Sequence, residues 1–139
     1  MVTRVLFAVA LICGLSGAAQ AEESKVLALG LADHEVTEAE LAKGETPPTP
    51  HFNTPAVAYV LAADLMKGDM VEITLINGDR ALLSNSETLA EDQATFLLQA
   101  GKRGVPAGGW PEGGYRAALK IMRDGKTLIE QTTDPIPFD

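Results

Sequence analysis

Through the second half of the chain, apolar residues fall at every second position, the period of a strand with one face buried. In MVEITLI (70–76), Val71, Ile73 and Leu75 share one face and Glu72 and Thr74 the other. YRAALKIM (115–122) repeats the pattern with Tyr115, Ala117, Leu119 and Ile121. AVAYVLAADL (56–65) places Val57, Tyr59, Leu61, Ala63 and Leu65 on one face, and its other face is also largely apolar. That pattern predicts a strand covered on both sides. Weaker alternation marks strands over 24–32, 79–84, 94–100 and 126–132, with a polar loop over 85–93. The turns are written in the usual residues: Lys67-Gly68-Asp69, Asn77-Gly78 and Asp124-Gly125. Asn77-Gly78 predicts a type I′ hairpin turn, whose two central residues both need positive φ. About seven short strands separated by turns predict an all-β antiparallel sandwich of two sheets, in a single domain.

The first half reads differently. Residues 33–44 are acidic and contain Thr37-Glu38-Ala39-Glu40, the spacing of a capping box at the start of a short helix. Thr-Pro-Pro-Thr-Pro (46–50) is a stiff, extended connection that no helix can enter. Residues 22–50 therefore form an N-terminal strand and proline-rich linker, in one domain with the sandwich over 51–139. The tail, Asp-Pro-Ile-Pro-Phe-Asp, is predicted not to pair along its length. At the other terminus, Arg4, an apolar run over 5–15 and Ala19-Gln20-Ala21 have the order of a secretory signal peptide cut after residue 21. The run is too short to span a bilayer, so no stable membrane anchor is expected after cleavage. The expected address is the periplasm or the medium beyond it.

Composition narrows the function. Eleven Lys and Arg against 19 Asp and Glu leave a net charge of −8 over 139 residues. Such an excess opposes nucleic acid and anionic membrane as main partners. The one cysteine, Cys13, lies in the predicted signal peptide, so the exported domain would be held by its core without disulfides. Arg4 leaves with the same segment, so the balance becomes more acidic by one charge.

Gly109-Trp110-Pro111-Glu112-Gly113-Gly114-Tyr115, followed by an alternating strand and Asp124-Gly125-Lys126, resembles the end of an immunoglobulin-like or fibronectin type III-like domain. His51-Phe52-Asn53-Thr54-Pro55 similarly resembles the start of small exported bacterial Ig-like domains with a Trp-Pro-x-Gly-x-Tyr signature. The resemblance spans roughly residues 51–132. It implies a structural role for Tyr115, with its ring on the core and its hydroxyl bonded to a nearby backbone carbonyl. The chain departs from antibody-type domains in lacking a cysteine pair and in placing Trp110 in a loop. The sandwich hosts many unrelated functions, so the resemblance implies no activity.

Candidate chemistry is sparse. No Gly-x-Ser-x-Gly elbow or Ser-x-x-Lys occurs, and six aromatic residues beyond the leader are a core's allotment rather than a sugar cleft's. No catalytic residue and no cofactor are therefore expected. Asp33-His34-Glu35 together with His51 contains the donor types of a zinc or copper site. Neighbouring residues in extended chain diverge, however, so solvated or core roles are favoured and metal binding by His34 and His51 is the alternative. Met66, Met70 and Met122 could serve soft copper, but solvated or core roles are favoured for them too. The glycine-rich stretch 101–114 reads as a long inter-strand loop whose glycines serve its turns. Lys102, Arg103 and Trp110 within it combine local positive charge with a large aromatic, residue types favoured at binding hot spots. They are the predicted binding residues, although Trp110 also suits a place over the end of the core. The expected function is a non-catalytic binding or accessory module for an envelope protein or small ligand.

Overall fold

The computed structural model describes residues 23–102 and 104–139; the leader read from residues 1–21 lies outside them. In chain order the elements are β1 (Lys25–Ala32), α1 (Glu38–Ala42), β2 (Ala56–Leu65), β3 (Met70–Asn77), β4 (Arg80–Thr88), β5 (Gln93–Lys102), β6 (Tyr115–Arg123) and β7 (Lys126–Thr132). They form two antiparallel sheets, β1-β2-β5 and β4-β3-β6-β7. The chain crosses between sheets after β2, β4 and β5, and closes hairpins at β3–β4 and β6–β7. An all-β sandwich results, compatible with an Ig-like arrangement.

Alternation sets the inner face of the four-stranded sheet: Val71, Ile73 and Leu75 of β3 and Ala117, Leu119 and Ile121 of β6 are all buried. The outer face is solvated, and Glu72 lies directly across from Lys120, an opposite-charge pair suited to that face. In β2 the two faces divide differently from the sequence reading. Ala56, Ala58, Val60 and Ala62 face the sandwich core, whereas Tyr59 and Leu61 form a second apolar cluster with Ala32, Val36 and Leu41. Leu65, expected beside Tyr59, joins the main core. It follows Asp64, whose φ of 60° breaks the strand's regular alternation.

That second cluster explains the short helix. Thr37 caps α1, its hydroxyl accepting from the Glu40 N–H while the Glu40 carboxylate accepts from the Thr37 N–H. Gln99 on β5 then binds the chain just before the helix at two points. It accepts from the Val36 N–H at 2.9 Å and donates to the Val36 carbonyl at 2.8 Å. The helix thus lies over the outer face of β2, where glycine makes room. A Cβ on Gly30 would sit 2.8 Å from the Tyr59 hydroxyl.

Several boundaries depart from the sequence reading for local reasons. The β3–β4 hairpin turns on Gly78-Asp79 rather than Asn77-Gly78. Only Gly78 has positive φ, the type II′ pattern, and a bulge follows where Leu75 pairs with Leu83 and Ile76 with Ala81. The β6–β7 turn does hold two positive-φ residues, Asp124 and Gly125. β4 continues through 85–88, read from sequence as loop, because an edge strand exposed on both faces needs no apolar alternation. Met66 is exposed at its turn, the solvated of the two roles open to it. In the tail, Ile136 alone pairs, both donating to and accepting from Tyr115, between two prolines that cannot donate.

At the end formed by the β2–β3, β4–β5 and β6–β7 turns, Asp69 is fully buried. Arg123 donates to both its carboxylate oxygens at 2.8 Å and to Ser24 at 2.9 Å. The Met66 N–H supplies a further bond to Asp69 at 2.8 Å. Main-chain bonds between Asp69 and Leu89, and between Leu89 and Gly68, tie in the β4–β5 turn. The Arg123 guanidinium holds the Asp69 carboxyl below the usual carboxylate range, against the opposing effect of burial. A carboxyl depressed by folding adds stability above its unfolded pKa and loses it as pH falls through the folded one. Arg123→Met, which strands the buried charge, is expected to cost about 3–5 kcal/mol at neutral pH. Urea denaturation at neutral pH and below pH 3 checks this: the variant's deficit should shrink in acid as Asp69 protonates.

Candidate functional site

The opposite end of the sandwich carries the long connections: residues 33–55 between β1 and β2, 103–114 between β5 and β6, and the tail after β7. Its centre is a cluster of aromatic rings. Tyr115, at the first position of β6, is fully buried, and its hydroxyl donates to the Pro111 carbonyl four residues upstream. Burial raises its pKa. Phe138 of the tail stacks on the Tyr115 ring at 3.7 Å, nearly parallel. Trp110 stands edge-on to both rings, at 6.3 Å from Tyr115 and 6.1 Å from Phe138.

Trp110 is 7% exposed, and its indole N–H donates to the Thr54 carbonyl at 2.8 Å. Its side chain thus lies over the end of the core with its polar atom satisfied, the place the sequence also allowed it. Its backbone N–H donates to the Phe52 carbonyl at 2.8 Å, and the Phe52 N–H donates to a backbone oxygen of Asp139. Gly109, at φ +91°, approaches so closely that a Cβ there would lie 2.7 Å from the Phe52 ring. The loop, the 51–55 segment and the tail are thus fastened to one another, and Phe52 is left half exposed on top. Of the other predicted binding residues, Lys102 ends β5 by pairing with Ala56. Its side chain, and Arg103, lie outside the described residues.

Depressions open between these segments, and two of them border residues already named. One, of about 360 Å³, has Val57, Gly101 and Gln99 among its lining residues, with Asp33, His34 and Glu35 beside them. The other, of about 540 Å³, is lined by Phe52, Trp110 and Phe138 together with Glu112 and Asp139. Nothing in the alternation pattern pointed to Phe52, Glu112, Phe138 or Asp139 as neighbours. The only signal was that His51-Phe52-Asn53-Thr54-Pro55 and the Trp110 loop both flank strands at one end.

The two histidines have separate hydrogen-bond partners. His34 is bound through Nδ1 to Asp33 at 2.7 Å and through Nε2 to Glu40 at 2.9 Å. His51 Nδ1 lies 3.1 Å from a backbone oxygen of Asp139. Both ring nitrogens of His34 are thus engaged, which favours the imidazolium and leaves no lone pair for a metal. Among the described residues no three His, Cys, Asp or Glu side chains form a group able to hold a metal ion. The bond to Asp33, then that to Glu40, raises the His34 pKa above its ordinary value.

No protein-family model matches this chain, and a search of curated proteins finds no match. Function is read from the site itself.

A raised histidine pKa contributes stability that is complete below the unfolded value and lost as pH rises through the folded one. His34 is 42% exposed, so the effect on stability is screened and small. An NMR titration of the His34 ring should give a midpoint above 6.5, and Glu40→Gln should lower it. An unchanged midpoint in that variant would remove Glu40 as a cause.

Proposed function

We propose that this chain is an exported, non-catalytic binding or accessory module of the bacterial envelope, and that it engages its partner through the loop end of the sandwich. The observation that carries this reading is the difference between the two ends. One end is drawn shut by tight turns and by the buried Asp69–Arg123 pair. The other presents three long segments, depressions between them and a half-exposed phenylalanine on a rigid frame. Loops fixed on a rigid scaffold are where binding residues concentrate.

Export rests on the leader pattern in residues 1–21, and the envelope as the place of action follows from it. The Ig-like or fibronectin type III-like relationship, with its Trp-Pro-x-Gly-x-Tyr signature, is supported by the Tyr115 hydroxyl bond to Pro111 at the start of β6 and by the split into three and four strands. Metal binding by His34 and His51 is not favoured, because the His34 ring is already held at both nitrogens.

Crosslinking from the native envelope tests the proposal when paired with variants at opposite ends. Val105→Asp places a charge on an exposed apolar residue of the 103–114 loop, and Met66→Ser changes an exposed residue at the closed end. The first should abolish a crosslink that the second leaves intact. Loss with Met66→Ser alone, or substrate turnover that one point mutation abolishes, would overturn the reading.

A further inference from the structure

We propose that the depression walled by Phe52, Trp110 and Phe138 binds a quaternary or methylated ammonium group, seated against the Phe52 ring and facing the carboxylates of Glu112 and Asp139. This deepens the reading of the loop end as the binding face, on which it rests. The space is about 540 Å³, enough for a small ligand or the end of a side chain. Trp110 and Phe138 are 7% and 8% exposed and close its base edge-to-face, at 82° to each other. Phe52 supplies the outer wall and is 48% exposed.

That exposure is held in place. The Phe52 N–H is bonded to Asp139, its carbonyl accepts from Trp110, and its ring lies against a glycine whose backbone conformation suits no other residue well. The backbone of Phe52 is thus fixed at both its polar groups and its ring rests against Gly109, so part of the freedom that binding would remove is already given up.

The polar lining selects among ligands. Glu112 and Asp139 bring acceptors only, and none of the described lining residues is basic. The chain as a whole carries a net charge of −8. An anion would be repelled here, and a neutral apolar ligand would shield carboxylates from water without replacing their partners. A sugar needs donors beside acceptors, and the one donor among the described lining side chains, the Trp110 indole, is already given to Thr54. A methylated ammonium satisfies both halves of the lining. Its charge meets the ring quadrupole and the carboxylates, and its methyl groups pack on the exposed ring of Phe52.

Trp110 is the one tryptophan of the chain, so its fluorescence reports directly on this site. The purified protein is titrated at constant ionic strength with choline chloride, with its uncharged isostere 3,3-dimethylbutan-1-ol, and with glucose. Choline should give a saturable change, and the isostere should bind at least about fivefold more weakly. Phe52→Ala should weaken choline between about fivefold and thirtyfold. Glu112→Gln should weaken it as well and reduce its dependence on salt. Both altered side chains are exposed, and melting curves confirm folding; should Phe52→Ala fail to fold, Glu112→Gln decides. No saturable response to choline, equal binding of the isostere, or preferential binding of glucose would each overturn the proposal. If choline fails while Val105→Asp still abolishes the envelope crosslink, the ligand class falls and the binding face stands.

Discussion

A ten-residue strand that is apolar on both faces has to be covered twice. β2 imposes that condition, since nearly every side chain from Ala56 to Leu65 is buried. One cover is the four-stranded sheet, whose β3 and β6 bring Ile73, Leu75, Leu119 and Ile121 against the alanines of β2. The small residues on one side and large ones on the other let the two layers interdigitate. The second cover is assembled from the 33–44 segment, which would have little reason to be ordered alone. A five-residue helix is far below the length at which helices persist in water. It holds because Val36 and Leu41 close over Tyr59 and Leu61 and because Gln99 bonds the backbone of Val36 at both its polar groups.

Covering β2 on its outer face also places chemistry. The chain must leave β1 at Ala32 and turn back over the sheet, and that turn holds Asp33, His34 and Glu35 at the rim of a depression. Glu40, brought round by the helix, then reaches the His34 ring. The same carboxylate closes the capping box, through its other oxygen. One side chain thus couples helix initiation to the ionisation of the neighbouring histidine, a link that no spacing rule for His34 contains.

Much of this was legible in sequence. Strict alternation over 70–76 and 115–122 defined the inner face of one sheet, and Thr37-x-x-Glu40 located the helix start. The failures have physical causes. In β2 both faces are apolar, so periodicity could not tell core from outer cover, and the positive φ at Asp64 transferred Leu65 between them. In β4 the edge position removed the need for alternation, so polar residues 85–88 looked like loop. The site was less legible than the fold. Trp110 stood out by residue type, but burial follows from where its loop is fastened. The residues around its depression come from three segments whose convergence depends on the chain's long-range path.

The aromatic cluster shows how an end can be rigid and still available. If Trp110 alone served as both closure and contact, exposing the indole would break its bond to Thr54 and uncover Tyr115, and the frame would weaken whenever a ligand drew on it. The structure separates the two duties. Tyr115, Phe138 and Trp110 shut the core, with the phenol and indole groups satisfied by backbone carbonyls. Phe52 lies outside that closure, where its removal leaves the buried rings their mutual contacts. Such a division lets a surface residue change with little cost to the fold, because exposed positions away from buried networks contribute little to stability. At the opposite end the Asp69–Arg123 pair is itself the closure, so a change in that pair is paid in stability before it could serve recognition.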